Sequence, residues 1–535
     1  MAQANGNAMH RPRVVIVGAG LAGISAAIAL KKQLAYDNFR IYERASGVGG
    51  TWRDNTYPGC GVDVPAHWYS LSTELNPNWS SRLVSQPEIK RYWQRLFEKY
   101  DLEKHTTFNH SVVLSTWNGD TNRYTITLRD ELTGIDSQRE AEILIYAIGG
   151  FMTPVFPEDI PGTETFKGTT FHSARWRHDV ELKGQRVAVI GNGCSAAQFI
   201  PEIARDPSVQ VINFCRTPQW FVPRRNQSYS RLVRWIFAYV PLLMRMYRNW
   251  IMATSDLTYL IFRKSNKRLL WLVRKMLTRY IKRNVSRDMG DSMIPNYPPG
   301  CKRIIIDPGY LKALRQPNVE VKWDPIESVV PEGLRLRSGG VVPVDVIIFG
   351  TGFSVEPRLN ARGVDGLSMR EYFRSQGGAT AYLGSAIPGF PNLFVLLGPN
   401  VATGHASVIF SQECQIQMAL KLIKPVIKGR IQSVQITEKA TEDYNSWLQS
   451  RLDDSVWKEC NSYYHVANSS QSKLIATFPG PVTLFWLLTR SIKKEDWKVT
   501  GAKNSDWLEE RRSSGILASL GVVAVSALLC LYVYK

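Results

Sequence analysis

A glycine-rich turn near the beginning of the chain has the residue types and the spacing that hold a pyrophosphate. A short apolar run leads into Gly18, Gly20 and Gly23, which complete the pattern GxGxxG at the start of a helix-like run. The glycines of such a turn permit a tight bend and a close approach of the backbone to the anion, which the helix N-terminus faces. The next apolar run ends in Glu43, an acid placed to bind ribose hydroxyls that carry no phosphate. The pattern predicts a dinucleotide site for an unphosphorylated adenosine.

A second turn of the same kind lies further along the chain. It contains Gly191 and Gly193, with Ala196 in the place of the third glycine, a replacement that the pattern tolerates. The apolar run after it ends in Arg216 and Thr217, where the first unit has an acid. An arginine at this place can pair with a 2′-phosphate, so we expect the second unit to choose NADPH over NADH. The NADP-contacting residues predicted here are Gly191, Gly193, Ser195, Arg216 and Thr217.

The segment between the two turns carries a motif of its own. Phe166, Gly168, His172 and Trp176 match the pattern FxGxxxHxxxW. This segment resembles the fingerprint of the Baeyer–Villiger monooxygenases, a branch of the class B flavin-dependent monooxygenases. Arg177 stands where that family usually has Pro or Asp, which fits a divergent subgroup. The related N- and S-oxidising enzymes tend to carry Tyr or Phe in the place of Trp176, so this residue favours the ketone-oxidising branch.

The resemblance extends over residues 14–485 and fails only over a basic segment and the tail. The sequence of residues 57–79 is most similar to that of fungal members that act on secondary metabolites. Lys302 looks like the family's partner of Arg216 at the NADP phosphate. With the first glycine turn included, the FAD-contacting residues that the resemblance implies are Gly18, Gly20, Gly23, Glu43, Thr51, Trp52, Asp63, Tyr69 and Val112.

The resemblance implies an enzyme that uses FAD, NADPH and dioxygen to insert one oxygen atom into a lipophilic ketone, giving an ester or lactone in secondary-metabolite biosynthesis. FAD and NADPH supply the redox chemistry of the reaction. The attacking oxygen must stay anionic, so a fixed cation is needed beside it. We expect Arg303 to be that cation and Asp63 to position it, which makes these two the predicted catalytic residues. His172 and Trp176 are expected to serve the interdomain hinge and the placement of NADP, and no metal is expected.

Other functions remain open at this point. An N- or S-oxygenating flavin monooxygenase would use the same cofactors on a soft nucleophile, and a tail-anchored nucleotide-binding protein without turnover would keep both glycine turns. A pyridine nucleotide-disulfide reductase is excluded, because it needs a redox cysteine pair and Cys60 has no close partner. The seven cysteines contain no CxxC pair, so no disulfide framework is predicted and a reducing compartment fits best.

Charge is concentrated in one part of the chain. The formal net charge is +20, yet residues 231–287 contain 14 basic residues and only one acidic residue, interleaved with aromatic residues at roughly helical spacing. The segment is predicted to be a helical insertion. Its aromatic residues either belong to a core, with the cations solvated, or contact a membrane surface. No nucleic-acid recognition motif accompanies the charge, so no nucleic-acid partner is expected.

The C-terminal end is apolar. Residues 516–534 contain no charge and follow Arg511 and Arg512. This length can cross a bilayer, and the positive-inside rule would keep the catalytic part in the cytosol. We therefore expect a single-pass tail anchor, in the endoplasmic reticulum rather than the mitochondrial outer membrane, with membrane contact through 516–534. Contact through 231–287 stays one of the two alternatives for that segment.

The predicted fold class is α/β, with two dinucleotide-binding Rossmann-like domains for FAD and NADP, a helical insertion and a C-terminal transmembrane helix. Ordinary proportions of hydrophobic (44%) and charged (21%) residues exclude a disordered or polytopic chain. The predicted domains are an FAD-binding domain in two parts (1–150 and 344–492), an NADP-binding domain in two parts (151–230 and 291–343), the basic insertion (231–290), a linker (493–514) and the anchor (515–535).

Overall fold

A computed structural model of the protein describes residues 13–354, 359–502 and 507–508. Two five-stranded parallel sheets form its framework. The strands are β1 (Val14–Val17), β2 (Phe39–Tyr42), β3 (Thr106–Thr107), β4 (His110–Asn118), β5 (Arg123–Asp130), β6 (Asp136–Ala141), β7 (Ile143–Tyr146), β8 (Thr169–His172), β9 (Arg186–Ile190), β10 (Gln210–Phe214), β11 (Phe221–Pro223), β12 (Ile305–Asp307), β13 (Val319–Lys322), β14 (Ile326–Val330), β15 (Gly333–Leu336), β16 (Val341–Pro343), β17 (Val346–Phe349), β18 (Ala361–Arg362), β19 (Leu393–Val395), β20 (Ser433–Ile436) and β21 (Trp497–Thr500). The helices are α1 (Leu21–Leu34), α2 (Thr51–Asp54), α3 (Gln86–Lys99), α4 (Cys194–Ile203), α5 (Arg231–Tyr239), α6 (Pro241–Leu257), α7 (Lys267–Asn284), α8 (Tyr310–Ala313), α9 (Met369–Ser375), α10 (Val408–Ile427), α11 (Glu438–Asp453) and α12 (Val482–Arg490).

The first sheet has the strand order β19-β7-β1-β2-β3. All its pairings are parallel, and β1 and β7 are buried along their whole length. Parallel strands buried on both faces read as continuous apolar runs, because other elements cover both sides of the sheet. The first glycine turn joins β1 to α1 at the carboxyl end of these strands, which is where open parallel sheets bind ligands.

A smaller antiparallel unit leaves this first sheet. Strands β4, β5 and β6 pair in sequence, and β18 joins the edge of β4. Strands β4 to β6 form an antiparallel meander, and β18 pairs with β4 in parallel. The chain returns to the first sheet much later, when β19 pairs with β7.

The second sheet has the order β13-β10-β9-β17-β8 and is parallel throughout. The second glycine turn joins β9 to α4, so it repeats the geometry of the first unit. Strand β17 pairs between β9 and β8, and β8 carries the middle of the fingerprint segment at the sheet edge. The two Rossmann-like units of the predicted fold class are therefore confirmed.

The basic segment forms three helices, α5, α6 and α7; α6 contacts α10 and α12 of the first unit, and α7 packs against β11 and α8. Arg248 of α6 is buried and lies 3.4 Å from the Glu413 carboxylate of α10. Asp256, also buried, accepts hydrogen bonds from the amides of Val482 (2.8 Å) and Thr483 (3.1 Å) and so caps the N-terminus of α12. Buried charges persist only when paired or hydrogen-bonded, so these two contacts fix α6 in one position.

The transmembrane prediction needs correction. Within the part of the chain that the structure describes, no helix is both long enough and apolar enough to cross a bilayer. The predicted anchor at 515–535 lies outside the described residues. The fold class is therefore corrected to the two-Rossmann α/β fold with its helical insertion and without the transmembrane helix. The single-pass membrane localisation predicted with the anchor is withdrawn.

Candidate active site

The first glycine turn forms a cradle that side chains would fill. Gly18 has φ +100°, and a Cβ atom there would lie 2.9 Å from the Ala147 carbonyl oxygen. A Cβ atom at Gly23 would lie 1.9 Å from the Gly18 carbonyl oxygen, far inside contact distance. Gly20 is the extended residue from which α1 starts. The backbone amides at this helix end are therefore open to an anion, as a pyrophosphate requires.

Glu43 is held at this cradle by its own hydrogen bonds. It ends β2, is almost fully buried, and accepts a hydrogen bond from the Ala19 amide at 2.7 Å. Its second oxygen accepts from the Ala45 amide and from Arg53, both at 3.0 Å. The structure thus brings the predicted ribose-binding acid to the glycine turn and keeps its carboxylate in one orientation.

The remaining predicted FAD residues surround the same cradle. A Cβ atom at Gly50 would lie 3.1 Å from the Cα of Gly20, so the glycine pair Gly49–Gly50 that precedes α2 contacts the first glycine turn. Thr51 begins α2, and the Trp52 indole donates a hydrogen bond to the Tyr69 hydroxyl at 3.1 Å. Val112 lies partly buried in β4. The first residue of that strand, His110, donates its amide hydrogen to the Glu43 carbonyl oxygen at 2.9 Å. The residues present fit a flavin dinucleotide.

The second glycine turn has the same construction. Gly191 has φ +109°, and a Cβ atom there would lie 2.6 Å from the Gly350 carbonyl oxygen. Gly193 is the extended residue before α4, and Ser195 lies in the first turn of that helix. The Asn192 side chain donates a hydrogen bond to the Thr217 carbonyl at 2.9 Å, which brings the end of β10 to the turn.

Two cations meet beside this second turn. Burial, and then the positive charge of Arg216, lower the pKa of Lys302 from its ordinary value. The Lys302 ammonium lies 4.9 Å from the centre of the Tyr297 ring. Two like charges held near each other favour a doubly charged anion between them, and a 2′-phosphate is such an anion. The residues present therefore fit NADP.

Asp63 and Arg303 form an ion pair, although 240 positions separate them in the chain. The Arg303 Nε atom donates to Asp63 Oδ2 at 2.8 Å, and the Nη2 atom lies 2.5 Å from the same oxygen. The carboxylate raises the pKa of Arg303 above its ordinary value, so the guanidinium stays charged. About 29% of the Arg303 side chain is exposed, so the side chain remains partly accessible to a ligand.

The fingerprint segment packs the edge of the second sheet. A Cβ atom at Gly168 would lie 2.6 Å from the Phe166 ring. Burial lowers the pKa of His172 to about 4, so the imidazole is neutral, and its Nδ1 atom accepts a hydrogen bond from the Ala174 amide at 3.1 Å. The Trp176 ring lies 5.2 Å from Phe199 of α4. These contacts explain the motif as packing between β8 and α4, and the roles in hinge motion and NADP placement remain predictions.

Comparison with known proteins decides the family. The chain is 35% identical to a Baeyer-Villiger monooxygenase of Pseudomonas aeruginosa, covering 91% of each chain. It is 34% identical to a Baeyer-Villiger monooxygenase of Streptomyces coelicolor, covering 91% of this chain and 92% of the relative. The chain belongs to the Baeyer–Villiger monooxygenases. It is an NADPH-dependent flavoprotein monooxygenase with FAD and NADP as cofactors, as predicted.

Further similarities agree with this family. The model of an NAD(P)-binding Rossmann-like domain matches residues 16–95, and that of L-lysine 6-monooxygenase/L-ornithine 5-monooxygenase matches 78–238. The FAD-binding monooxygenase tazF of Aspergillus terreus is 31% identical and covers 91% of this chain and 89% of its own. Closed cyclohexanone monooxygenase (TM-score 0.80, 24% identity, covering 92% and 100%) and OTEMO in complex with FAD and NADP (TM-score 0.80, 23% identity, covering 92% and 100%) share the fold.

Several residues around Arg303 of this Baeyer–Villiger monooxygenase were not predicted from the sequence. Burial raises the pKa of Tyr464, and the charge of Arg303 acts in the opposite direction. Tyr463 is 36% exposed, and its ring centre lies 4.5 Å from that of Tyr464. The structure also joins Cys301 to Cys460 in a disulfide, which corrects the expectation of no disulfide. A search for closely spaced cysteines could not find a pair 159 residues apart. Nothing in the local sequence marks the two tyrosines.

The cation pair at the second turn leads to a prediction about coenzyme choice. We expect Arg216→Ala to raise the KM for NADPH about 10- to 100-fold, because one charge-assisted hydrogen bond contributes about 1.5–3 kcal/mol. The KM for NADH should change little. Steady-state kinetics with both coenzymes check this. The matched control is Arg205→Ala, since Arg205 is 72% exposed at the end of α4; an unchanged preference in Arg216→Ala would contradict the assignment.

Proposed function

We propose that the protein inserts one oxygen atom of dioxygen between the carbonyl carbon and a neighbouring carbon of a lipophilic ketone, giving an ester or a lactone. Reduced FAD, when bound, supplies the activation of dioxygen, with electrons from NADPH. The observation that carries the proposal is the charged Arg303 held by Asp63 and still partly exposed.

Each part of the site has a separate task in this reaction. The two glycine turns bind the dinucleotides at the N-termini of α1 and α4 and so orient each dinucleotide relative to its sheet. Arg303 stabilises negative charge on the attacking oxygen and on the carbonyl oxygen, because its guanidinium cannot release a proton in the accessible pH range. Asp63 orients the guanidinium through Nε and Nη2. Fixed charge of this kind acts without reorganisation during the reaction.

The same arrangement favours ketone oxidation over N- or S-oxygenation. Oxidation of a soft nucleophile needs a protonated oxygen donor, whereas attack on a carbonyl needs an anionic one. A permanently charged arginine stabilises the anion. Lipophilic ketones of secondary metabolism are the proposed substrate class, because residues 57–79 resemble fungal members that act on such metabolites.

The test is isotopic. The FAD-loaded enzyme is supplied with NADPH, ¹⁸O₂ and a panel of cyclic and aryl ketones, and the products are analysed by mass spectrometry. An ester or lactone that carries one ¹⁸O atom is the expected product. A parallel panel of sulfides and amines separates the alternative, because sulfoxide or N-oxide formation with no ester from any ketone would overturn the proposal.

We further propose that the basic helices touch the surface of an anionic lipid layer. This contact is peripheral and requires no spanning helix. Tyr259 and Phe262 of the segment are buried, yet Trp235, Trp250 and Trp271 are each more than half exposed. The other large apolar side chains that are more than half exposed on these helices are Leu232, Tyr239, Leu242, Met246, Leu272 and Met276. Exposed cations lie among them, so the face is complementary to anionic headgroups above an apolar layer.

Vesicle binding checks this surface. The variant Trp235→Ser/Trp250→Ser/Trp271→Ser is expected to bind vesicles of phosphatidylserine and phosphatidylcholine about tenfold less than the unchanged protein, since each indole buries apolar area in the lipid. Binding should fall at high salt and with pure phosphatidylcholine. Leu132→Ser is the control, because Leu132 is 77% exposed on the meander. Equal sedimentation of all three proteins would contradict the proposal.

A further inference from the structure

A disulfide lies two residues before the proposed cation. Cys301 is bonded to Cys460, and their Cα atoms are 6.1 Å apart. Cys301 is completely buried and is followed directly by Lys302 and Arg303. The bond therefore anchors, at one point, the backbone that carries both cations of the site.

The same backbone is packed from a second side by the insertion. Gly300 has φ +88°, and a Cβ atom there would lie 2.9 Å from the Phe262 ring. Phe262 stacks on Trp457 with the ring centres 5.1 Å apart. The Trp457 carbonyl oxygen is 3.8 Å from the Cys301 sulfur. The disulfide thus lies at the point where the cation loop (residues 298–304), the insertion and the segment before Cys460 meet.

Beyond Cys460 the chain turns towards the guanidinium. Three positions later come Tyr463 and then Tyr464, whose rings are 4.5 Å apart. Tyr464 is buried, and the charge of Arg303 opposes the rise in its pKa that burial causes, whereas Tyr463 is 36% exposed. Each cysteine of the disulfide is therefore followed, within a few residues, by Arg303 itself or by a residue near it.

We propose that the Cys301–Cys460 disulfide is a positioning element that holds the Arg303 guanidinium against Asp63 and beside the tyrosine pair. The Asp63–Arg303 ion pair is partly exposed, and an exposed ion pair alone confines two side chains weakly. The disulfide adds a covalent tie that joins the backbone two residues before Arg303 to a second segment of the chain. This inference rests on the proposed function, in which Arg303 must meet the reacting oxygen.

A dithiol tests the bond without changing the sequence. Cys460 is partly exposed, so a thiolate of dithiothreitol can attack its sulfur, break the S–S bond and form a mixed disulfide. The second thiol of the reagent then closes its ring. Both cysteines leave as thiols, and dithiothreitol loses two electrons and two protons. Mass spectrometry of alkylated peptides measures how far the reduction has gone.

Three forms of the FAD-loaded full chain are compared at a temperature well below unfolding: the oxidised enzyme, the reduced enzyme, and Cys301→Ser/Cys460→Ser. We expect the ester formed per NADPH consumed to fall about 10- to 100-fold in the last two forms, because small displacements of a reacting group cost rates of this size. Amide hydrogen exchange of peptides covering 298–305 should quicken in parallel. Dithiothreitol should not change the double variant. Cys414→Ser, which alters another buried cysteine, should behave like the oxidised enzyme.

The outcomes separate the two proposals. The positioning role would be overturned if complete reduction changed neither the amide hydrogen exchange of 298–305 nor the ester formed per NADPH consumed. A lower melting temperature without either of these changes would overturn it as well. If the oxidised enzyme formed no ester from any ketone, the proposed function would fail. The hydrogen-exchange comparison would still decide whether the disulfide holds the cation loop.

Discussion

Replacing Arg303 with alanine is expected to reduce ester formation from ketones about 10²- to 10³-fold, the usual effect of removing one group that stabilises negative charge in a transition state. The guanidinium is the group that Asp63 holds in place through Nε and Nη2. Removing it also leaves the Asp63 carboxylate without this partner beside the flavin site. Initial rates of ester formation, measured by gas chromatography with saturating NADPH, give the effect.

Two further variants show whether charge or geometry matters at this position. Arg303→Lys keeps the charge but loses the forked pair of donors, so we expect a rate between those of the alanine variant and the unchanged enzyme. Arg205→Ala removes an exposed arginine elsewhere and should leave the rate unchanged. If Arg303→Ala formed ester at a rate within about threefold of that of the unchanged enzyme, the loss would be too small for the removal of a charge-stabilising group. That result would disprove the assignment.

The second large effect concerns the first cradle. Gly23→Ala is expected to yield protein that retains little FAD, because the new Cβ atom would lie 1.9 Å from the Gly18 carbonyl oxygen. The clash is between backbone and Cβ, so no side chain can rotate away to relieve it. Overpacking of this kind costs about 3 kcal/mol. Because the turn must shift to relieve the clash and then no longer fits the pyrophosphate, we expect a Kd for FAD that is roughly 100-fold weaker.

The flavin content of the purified protein, from the ratio of absorbance at 450 and 280 nm, measures this loss. Gly47→Ala is the matched control, since a Cβ atom at Gly47 would meet nothing within 4 Å. If Gly23→Ala purified with its full complement of FAD, α1 would have to tolerate a shift that the present packing forbids, and the cradle would not be the FAD site.

The sequence by itself determined the two dinucleotide units. Glycine turns, the apolar strands before them and the acid or arginine after them are local patterns, and each works through backbone conformation within about 30 residues. The positive φ angles of Gly18 and Gly191 are the physical reason that these turns could be read directly. The resemblance to the family extended this interpretation to Asp63, Lys302 and Arg303 without any knowledge of contacts.

Only the tertiary structure decided how distant segments meet. It placed Asp63 within hydrogen-bond distance of Arg303, 240 positions away, and bonded Cys301 to Cys460. It also divided the aromatic residues of the basic segment into buried ones such as Phe262 and exposed ones such as Trp271. Periodicity shows that a helix has two faces, but which face is covered depends on what the rest of the chain packs against it.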